Sequence, residues 1–207
     1  MNISLLISTY NWPQALELVL LSVSEQVRPP HEVIIADDGS GTETKSLIES
    51  MSHESKVPII HLWHEDDGFR KSMITNKAIV QASGDYCVQS DGDVILNRHF
   101  VADHQIFAKD GTYCPGSRTL LSESLSKRAF AEKRITFGTF EPGIKRPLNS
   151  LRLPWLTPWL YPDALRYDNI RGSNIGYWRK HAIAANGYNE DIVGWGREDT
   201  EFVARLT

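Results

Sequence analysis

Two acids flank a single glycine in Asp91-Gly92-Asp93, directly after a short run, Tyr86 to Gln89, that reads as a β-strand. Carboxylates at the carboxyl end of a strand in an open α/β sheet sit where such sheets bind ligands. An acid pair there can hold a hard divalent cation against a nucleotide diphosphate, because Mg²⁺ and similar ions use few protein ligands plus phosphate oxygens. The same residues also make a good turn, since glycine accepts positive φ and aspartate bonds its own backbone. The elements on either side decide between the two readings.

The first hundred residues alternate strand and helix. Ile3 to Ser8 is an apolar run of strand length ending in Thr9-Tyr10-Asn11. Pro13 suits a first helical turn, and Leu16, Val19, Leu20, Val23 and Val27 recur at helical spacing until Pro29-Pro30. A second strand, Glu32 to Ala36, runs into Asp37-Asp38-Gly39-Ser40. A helix from Thr42 to Ser50, a strand from Val57 to Trp63 and a turn at Asp66-Asp67-Gly68 follow. A helix from Arg70 to Ala82 has Met73, Ile74, Lys77, Ala78 and Val80 set for partial burial, and Ser83-Gly84-Asp85 leads into the Tyr86 strand. This alternation predicts an α/β fold with a Rossmann-like, mostly parallel sheet flanked by helices. Three polar strand ends, Thr9 to Asn11, Asp37 to Ser40 and Asp91 to Asp93, then share one rim.

Composition sets outer bounds. The 207 residues suffice for one large domain, and a net charge of −4 lacks the basic footprint of a general nucleic-acid binder. The two cysteines, Cys87 and Cys114, lie in strand-like segments and read as buried thiols. Met1-Asn2-Ile3-Ser4 runs into a strand without a basic leader, and no apolar run approaches the ~18 residues of a membrane span. A cytoplasmic location is expected.

Beyond Asp93 the pattern loosens. His99 to Ala108 reads as a helix and Thr112 to Pro115 as a short strand. Between Arg118 and Arg152, eight basic residues face three acidic ones, ahead of Leu153-Pro154-Trp155-Leu156-Thr157-Pro158-Trp159-Leu160-Tyr161-Pro162. Prolines at that spacing exclude a regular helix interior. The aromatics suit an acceptor groove or, beside the basic stretch, peripheral contact with the inner face of a membrane; alternatively they pack down while the charges form a solvated face. Arg171-Gly172-Ser173 turns into a strand through Trp178, Arg179 to Asn186 is a short helix capped by Gly187, and Gly194-Trp195-Gly196-Arg197-Glu198-Asp199 opens a last helix. That helix reaches Thr207 without a stop signal, which reads as a fragment.

Taken in order, Ile7-Ser8-Thr9-Tyr10-Asn11, Asp37-Asp38-Gly39-Ser40, Ser83-Gly84-Asp85-Tyr86 and Asp91-Gly92-Asp93 resemble the motifs of family 2 inverting glycosyltransferases of the GT-A fold, with Asp91-Gly92-Asp93 as the DxD motif. Gly194-Trp195-Gly196-Arg197-Glu198-Asp199 is similar to the GWGxED signature of β1,4-galactosyltransferases and bacterial chondroitin-polymerase-type domains, relatives that also carry a Phe-x₆-Asn segment matched by Phe69 and Asn76. The resemblance is weakest from about Arg118 to Asn169. It implies a donor half over 1–110 and an acceptor-side, catalytic half over 111–207.

The resemblance also implies roles. Asp93 is the metal ligand, for Mn²⁺ or Mg²⁺; Asp91 contacts the ribose or the metal's water shell. Asp38 accepts from uracil N3–H, and Thr9, with Tyr10 and Asn11, holds the base from the other side. Arg70 or Lys71 reaches a phosphate. Asp199 is the general base that deprotonates an acceptor hydroxyl, Glu198 holds a sugar hydroxyl, and Trp195 walls the sugar. Acids in a first helical turn also simply complement the macrodipole. The relatives' further metal ligand, usually a histidine, lies beyond the last helix; His61, His64, His99 and His104 do not match it and read as ordinary histidines.

The expected function is therefore inverting transfer of a hexose or N-acetylhexosamine from a UDP-sugar to a saccharide, free or lipid-linked, in glycan, lipopolysaccharide or capsule synthesis. No nucleic-acid partner is expected, and no pattern specifies an oligomeric state. A sugar nucleotidyltransferase predicts a glycine-rich basic loop after the first strand, where this chain has Thr9-Tyr10-Asn11-Trp12-Pro13. A GT-A-like binding module without turnover is the remaining alternative.

Overall fold

The computed structural model describes residues 1–155, 171–192, 194 and 196–206. Strands β1 (Ile3–Thr9), β2 (Glu32–Asp37), β3 (Ile59–Trp63) and β4 (Tyr86–Asp91) alternate with helices α1 (Pro13–Ser24), α2 (Thr42–Glu54) and α3 (Lys71–Gln81). After α4 (Phe100–Phe107) come β5 (Tyr113–Pro115), β6 (Leu120–Leu121), α5 (Glu123–Glu132) and β7 (Ile144–Lys145). The described chain then resumes with β8 (Asn174–Trp178), α6 (Arg179–Ala184) and α7 (Glu198–Leu206).

The main sheet has six strands in the order β3-β2-β1-β4-β8-β5. β1 pairs in parallel with both β2 and β4, and β2 pairs in parallel with β3. The winding therefore reverses between β1 and β4, which makes their carboxyl ends the switch point where open α/β sheets take ligands. β8 joins the far edge of β4 antiparallel, Ser90 opposite Asn174, and β5 lies antiparallel beyond it. Because β8 runs backwards, its beginning rather than its end lies at the Asp91 rim.

Strand period and burial agree. Ile3, Leu5, Ile7, Val33 and Ile35 pack in one core with Leu16, Val19 and Val23 of α1 and Ile48 of α2. Leu6, Ile34 and Ala36 point to the opposite core, shared with Ile74 and Ala78 of α3 and with Tyr188, Phe202 and Val203. Two sequence expectations shift. α1 ends at Ser24, before the prolines, and leaves Val27 exposed. In α3, Lys77 and Val80 face solvent, while Ser72, Thr75 and Ile79 share the buried face with Ile74 and Ala78.

Glu32, at the start of β2, is nearly inaccessible and accepts from Ser4 Oγ (2.6 Å), Ser83 N (2.7 Å) and Ser83 Oγ (2.8 Å). Burial alone raises its pKa, but these donors outweigh burial and the net shift is downward from 4.5. A depressed carboxylate adds stability that is complete above its unfolded value and is lost as pH falls through the folded one. Glu32→Gln is thus expected to cost about 1–2 kcal/mol at pH 7. The deficit relative to wild type should shrink below pH 4.5, as read by urea unfolding at both pH values.

The stretch after β5 carries the excess of basic residues, and most are matched by acids. Arg128 and Arg134 share Glu141, Lys133 meets Glu17 of α1, Lys127 meets Glu123, and Arg152 makes a two-bond pair with Asp103. That is the solvated-face arrangement. Trp155 stands exposed at its end; Trp159 and Tyr161, expected to line a groove, lie outside the described residues, as does Trp195. Among the described residues no helix is long and apolar enough to cross a membrane.

Candidate active site

The rim is assembled by register. Thr9 lies opposite Asp37, and Ser8 opposite Asp91. Two amide bonds tie the loops together just beyond the strands: Asp38 N donates to Thr9 O (3.0 Å) and Gly92 N to Ser8 O (2.7 Å). Asn11 adopts φ 45°, a left-handed conformation its short polar side chain tolerates. Its amide donates to Ser40 Oγ (2.8 Å) and its Oδ1 accepts from Gly41 N (2.9 Å), so Asn11 locks the first rim loop to the second. Tyr10 is half exposed and its hydroxyl donates to Asp66 Oδ2 (2.8 Å).

The two acids of the second loop divide their work. Asp37 is wholly buried; Oδ1 accepts from Ser40 N (2.8 Å) to close the turn and Oδ2 meets His61 Nε2 (2.9 Å). Asp38 meets His64 Nε2 (2.7 Å) through Oδ1 and accepts from Arg70 N (3.0 Å) through Oδ2. A carboxylate has lone pairs beyond two such contacts, so Asp38 keeps acceptor capacity. His64, read from sequence as an ordinary histidine, is largely buried and backs this carboxylate. The Arg70 side chain turns away to the Glu65 carbonyl and Asp67.

Lys71, the first residue of α3, points into the rim instead. Its Nζ donates to Asp91 Oδ1 (2.6 Å), which also accepts from Ser8 Oγ (3.0 Å). Burial would lower the lysine pKa, but the charges of Asp91, Asp199 and Glu198 outweigh it and raise the value. The ammonium therefore lies in the joint field of the Asp91 rim and the start of α7. Asp93 is exposed at this rim, its pKa raised by partial desolvation first and by the Asp91 charge second, with Arg118 opposing. Arg118 donates to Ser173 Oγ (3.1 Å) in the turn before β8.

That same turn holds Asp199. Gly172 N donates to Asp199 Oδ2 (2.6 Å), and Tyr188 Oη lies 3.3 Å from Oδ1. A Cβ on Gly172 would fall 2.2 Å from Oδ1, so glycine is required here for close approach. Desolvation leads the causes that raise the Asp199 pKa; Lys71 and the Gly172 amide pull it down, and Glu198 and Asp91 push it up. Glu198 is buried and accepts from Gly196 N (2.7 Å). Asn76, midway along α3, grips the Tyr188 backbone from both sides, accepting from its N–H (2.7 Å) and donating to its carbonyl (2.9 Å). Phe69 is largely exposed.

Asp91 and Asp93 fit a divalent cation that completes its shell with phosphate and water. They are like charges two residues apart, and after desolvation the Asp91 charge is the second cause that raises Asp93. Among the described residues no third His, Cys, Asp or Glu joins them in a metal-binding group. Gly172, Tyr188 and His64 were missed from sequence because their contacts with Asp199 and Asp38 follow no helix or strand spacing.

Comparison with known proteins follows the same outline. The glycosyl transferase family 2 profile matches residues 4–157, and the profile described as the N-terminal domain of galactosyltransferase matches 161–207. A hyaluronan synthase of Pasteurella multocida is 24% identical over 99% of this chain and 22% of its own length. A validoxylamine A glucosyltransferase of Streptomyces hygroscopicus subsp. limoneus is 26% identical over 99% of this chain and 47% of its own. A chondroitin synthase of Escherichia coli is 24% identical over 99% and 32%. The chain thus spans less than half the length of these curated relatives. Among solved structures, the mannosyltransferase PcManGT of Pyrobaculum calidifontis, in complex with GDP-Man and Mn²⁺, superposes with a TM-score of 0.65 at 18% identity, over 99% of this chain and 51% of that one. TarS of S. aureus in complex with UDP-GlcNAc gives 0.60 at 19%, over 100% and 53%. These likenesses give the fold as GT-A, and the chain belongs to glycosyl transferase family 2.

Proposed function

We propose that this chain transfers a hexose or N-acetylhexosamine from a UDP-sugar to a saccharide hydroxyl, with inversion, in the synthesis of a polysaccharide. The observation that carries the reading is the convergence of Asp91, Asp93 and Lys71 with Asp199 on one rim, at the switch point of the sheet. Residues 1–110 hold the donor and residues 111–207 supply the acceptor side. The relatives' names support a polysaccharide product, and one solved neighbour holds UDP-GlcNAc.

The roles follow from chemistry. Asp38, steadied by His64 and the Arg70 amide, accepts from the base N–H while Thr9 and its neighbours close the other side. Asp93, assisted by Asp91, would hold a divalent ion, which would supply Lewis-acid stabilisation of the leaving diphosphate. Lys71 adds positive charge at the same place. Asp199, ionised and held by the Gly172 amide, takes the proton of the acceptor hydroxyl as its oxygen bonds to the anomeric carbon from the face opposite the departing UDP. Glu198 orients a sugar hydroxyl.

The test is a titration of UDP with and without Mn²⁺, followed by calorimetry, on wild type and Asp93→Ala, with GDP as the comparison nucleotide. The expected result is metal-dependent UDP binding that weakens at least tenfold in the variant, consistent with loss of a metal-ligating group. Equal UDP binding by both proteins, or none by wild type, sinks the donor-site reading.

A further inference from the structure

Tyr188 is buried at 3% exposure, and its ring stacks on Phe202 of α7 with centroids 4.1 Å apart. Its backbone is fixed by Asn76, a side chain on the helix that also presents Lys71. The hydroxyl has one proton and two neighbours: Gln89 Oε1 at 3.0 Å and Asp199 Oδ1 at 3.3 Å. Tyr177 Oη approaches the same Gln89 oxygen at 3.2 Å, while Gln89 Nε2 is buried without a partner. Turning the amide over exchanges its oxygen and nitrogen in place. Nε2 then donates to both phenolic oxygens, and the Tyr188 proton is released toward the carboxylate. Left without a partner among the described residues are then a carbonyl oxygen, the less costly group to bury unpaired, and the Tyr177 hydroxyl proton, in place of both Nε2 protons. An ionised carboxylate is also the stronger acceptor of the two neighbours.

We propose that Tyr188 is a positioning residue for Asp199: its hydroxyl donates to Oδ1 while the Gly172 amide donates to Oδ2, so both carboxylate oxygens are fixed and their remaining lone pairs are left for the acceptor hydroxyl. The assignment rests on Asp199 as the base, and it adds a second anchor from a different part of the chain. Burial, and then the Asp199 charge, hold the Tyr188 pKa well above its ordinary value, so the phenol remains a donor throughout the working range. The other groups facing Asp199 are Lys71 from α3, Asp91 from β4, Tyr177 from β8 and Glu198 from its own helix.

Tyr188→Phe keeps the ring and its stacking on Phe202 and removes only the donor. Losing a donor to the charged form raises a carboxylate pKa. In protein carrying ¹³C at the aspartate carboxyl carbon, with the Asp199 resonance identified by its disappearance in Asp199→Asn, the midpoint is expected to move up by about half to one pH unit in Tyr188→Phe. Tyr177→Phe, which alters the same Gln89 network without touching Asp199, should leave it in place. An unmoved midpoint in Tyr188→Phe, or equal movement in both variants, overturns the proposal. The readout needs no substrate, so it is separable from the function itself. Undiminished sugar transfer by Asp199→Asn would reject the base, and with it the catalytic purpose of this anchor, even if the titration moved.

Discussion

Asp199→Asn is expected to lower sugar transfer by about 10²–10⁴-fold, the usual span for a lost general base, while UDP binding with Mn²⁺ stays at the wild-type level. Transfer is read as UDP release from a panel of UDP-sugars with hyaluronan and chondroitin oligosaccharides as acceptors. The second half of the expectation concerns stability and runs in the opposite direction. The Asp199 pKa is raised from 3.8 in the folded chain, chiefly by desolvation. For an acid shifted upward, the ionised form is the less favoured one in the fold. Its charge therefore costs stability above the folded pKa, and the cost is relieved as pH falls through it. Asparagine removes that cost at pH 7 and can still accept from the Gly172 amide. The variant should melt no lower than wild type at pH 7. An inactive protein of undiminished stability is the signature of a group kept for chemistry, whereas a helix-capping acid would give the reverse, a less stable protein with its activity intact. The wild-type kcat/KM should fall on the acid side at a pH above 3.8, as the base takes up its proton.

Gly172→Ala is the second large effect, because the added methyl meets the proposed base itself. The new Cβ would lie 2.2 Å from Oδ1 and 2.8 Å from both Cγ and Oδ2 of Asp199. No side chain tolerates such contact, so either the carboxylate rotates off its amide or the turn before β8 withdraws. A misplacement of about 1 Å at a reacting group costs on the order of 10²-fold in rate, and that loss in kcat is the expected result. The donor rim formed by β1, β2 and β4 is untouched, so metal-dependent UDP binding should persist. Gly138→Ala is the matched control, since the nearest atom to its Cβ, on Glu141, is 3.8 Å away; it should turn over normally. If Gly172→Ala transfers sugar at the wild-type rate, Asp199 is not held as described.

Much of the donor rim is legible in sequence because it is local. β1 and β2 are short apolar runs, three of the strands end in their own polar stretch, and Asp91-Gly92-Asp93 announces itself within three residues. Parallel alternation then brings the ends together by rule rather than by detail. The misread positions are those where tertiary packing overrides local pattern. Val27 and Val80 continue an apolar period into solvent because α1 ends early and α3 is rotated toward Ile79. The surroundings of Asp199 were invisible for a different reason. Gly172 and Asp199 are 27 residues apart, and Asn76 and Tyr188 112 apart; no spacing rule connects them until β8 is seen to lie backwards against β4. His64 was set aside because a single histidine carries no signal without its partner, and that partner, Asp38, is on another loop.

The hairpin-like pairing of β5 with β8 has an evolutionary side. Gly116 N donates to Asn174 O (2.8 Å), and the chain between these two residues leaves the sheet and returns to it at adjacent points. Whatever that excursion contains, its two ends are fixed by the sheet. It is a cassette in the architectural sense: the returning end must keep Gly172 against Asp199, and change in length or sequence falls to the stretch between Gly116 and that end. The donor rim, assembled from strands that precede the cassette, would pass unchanged through every such exchange.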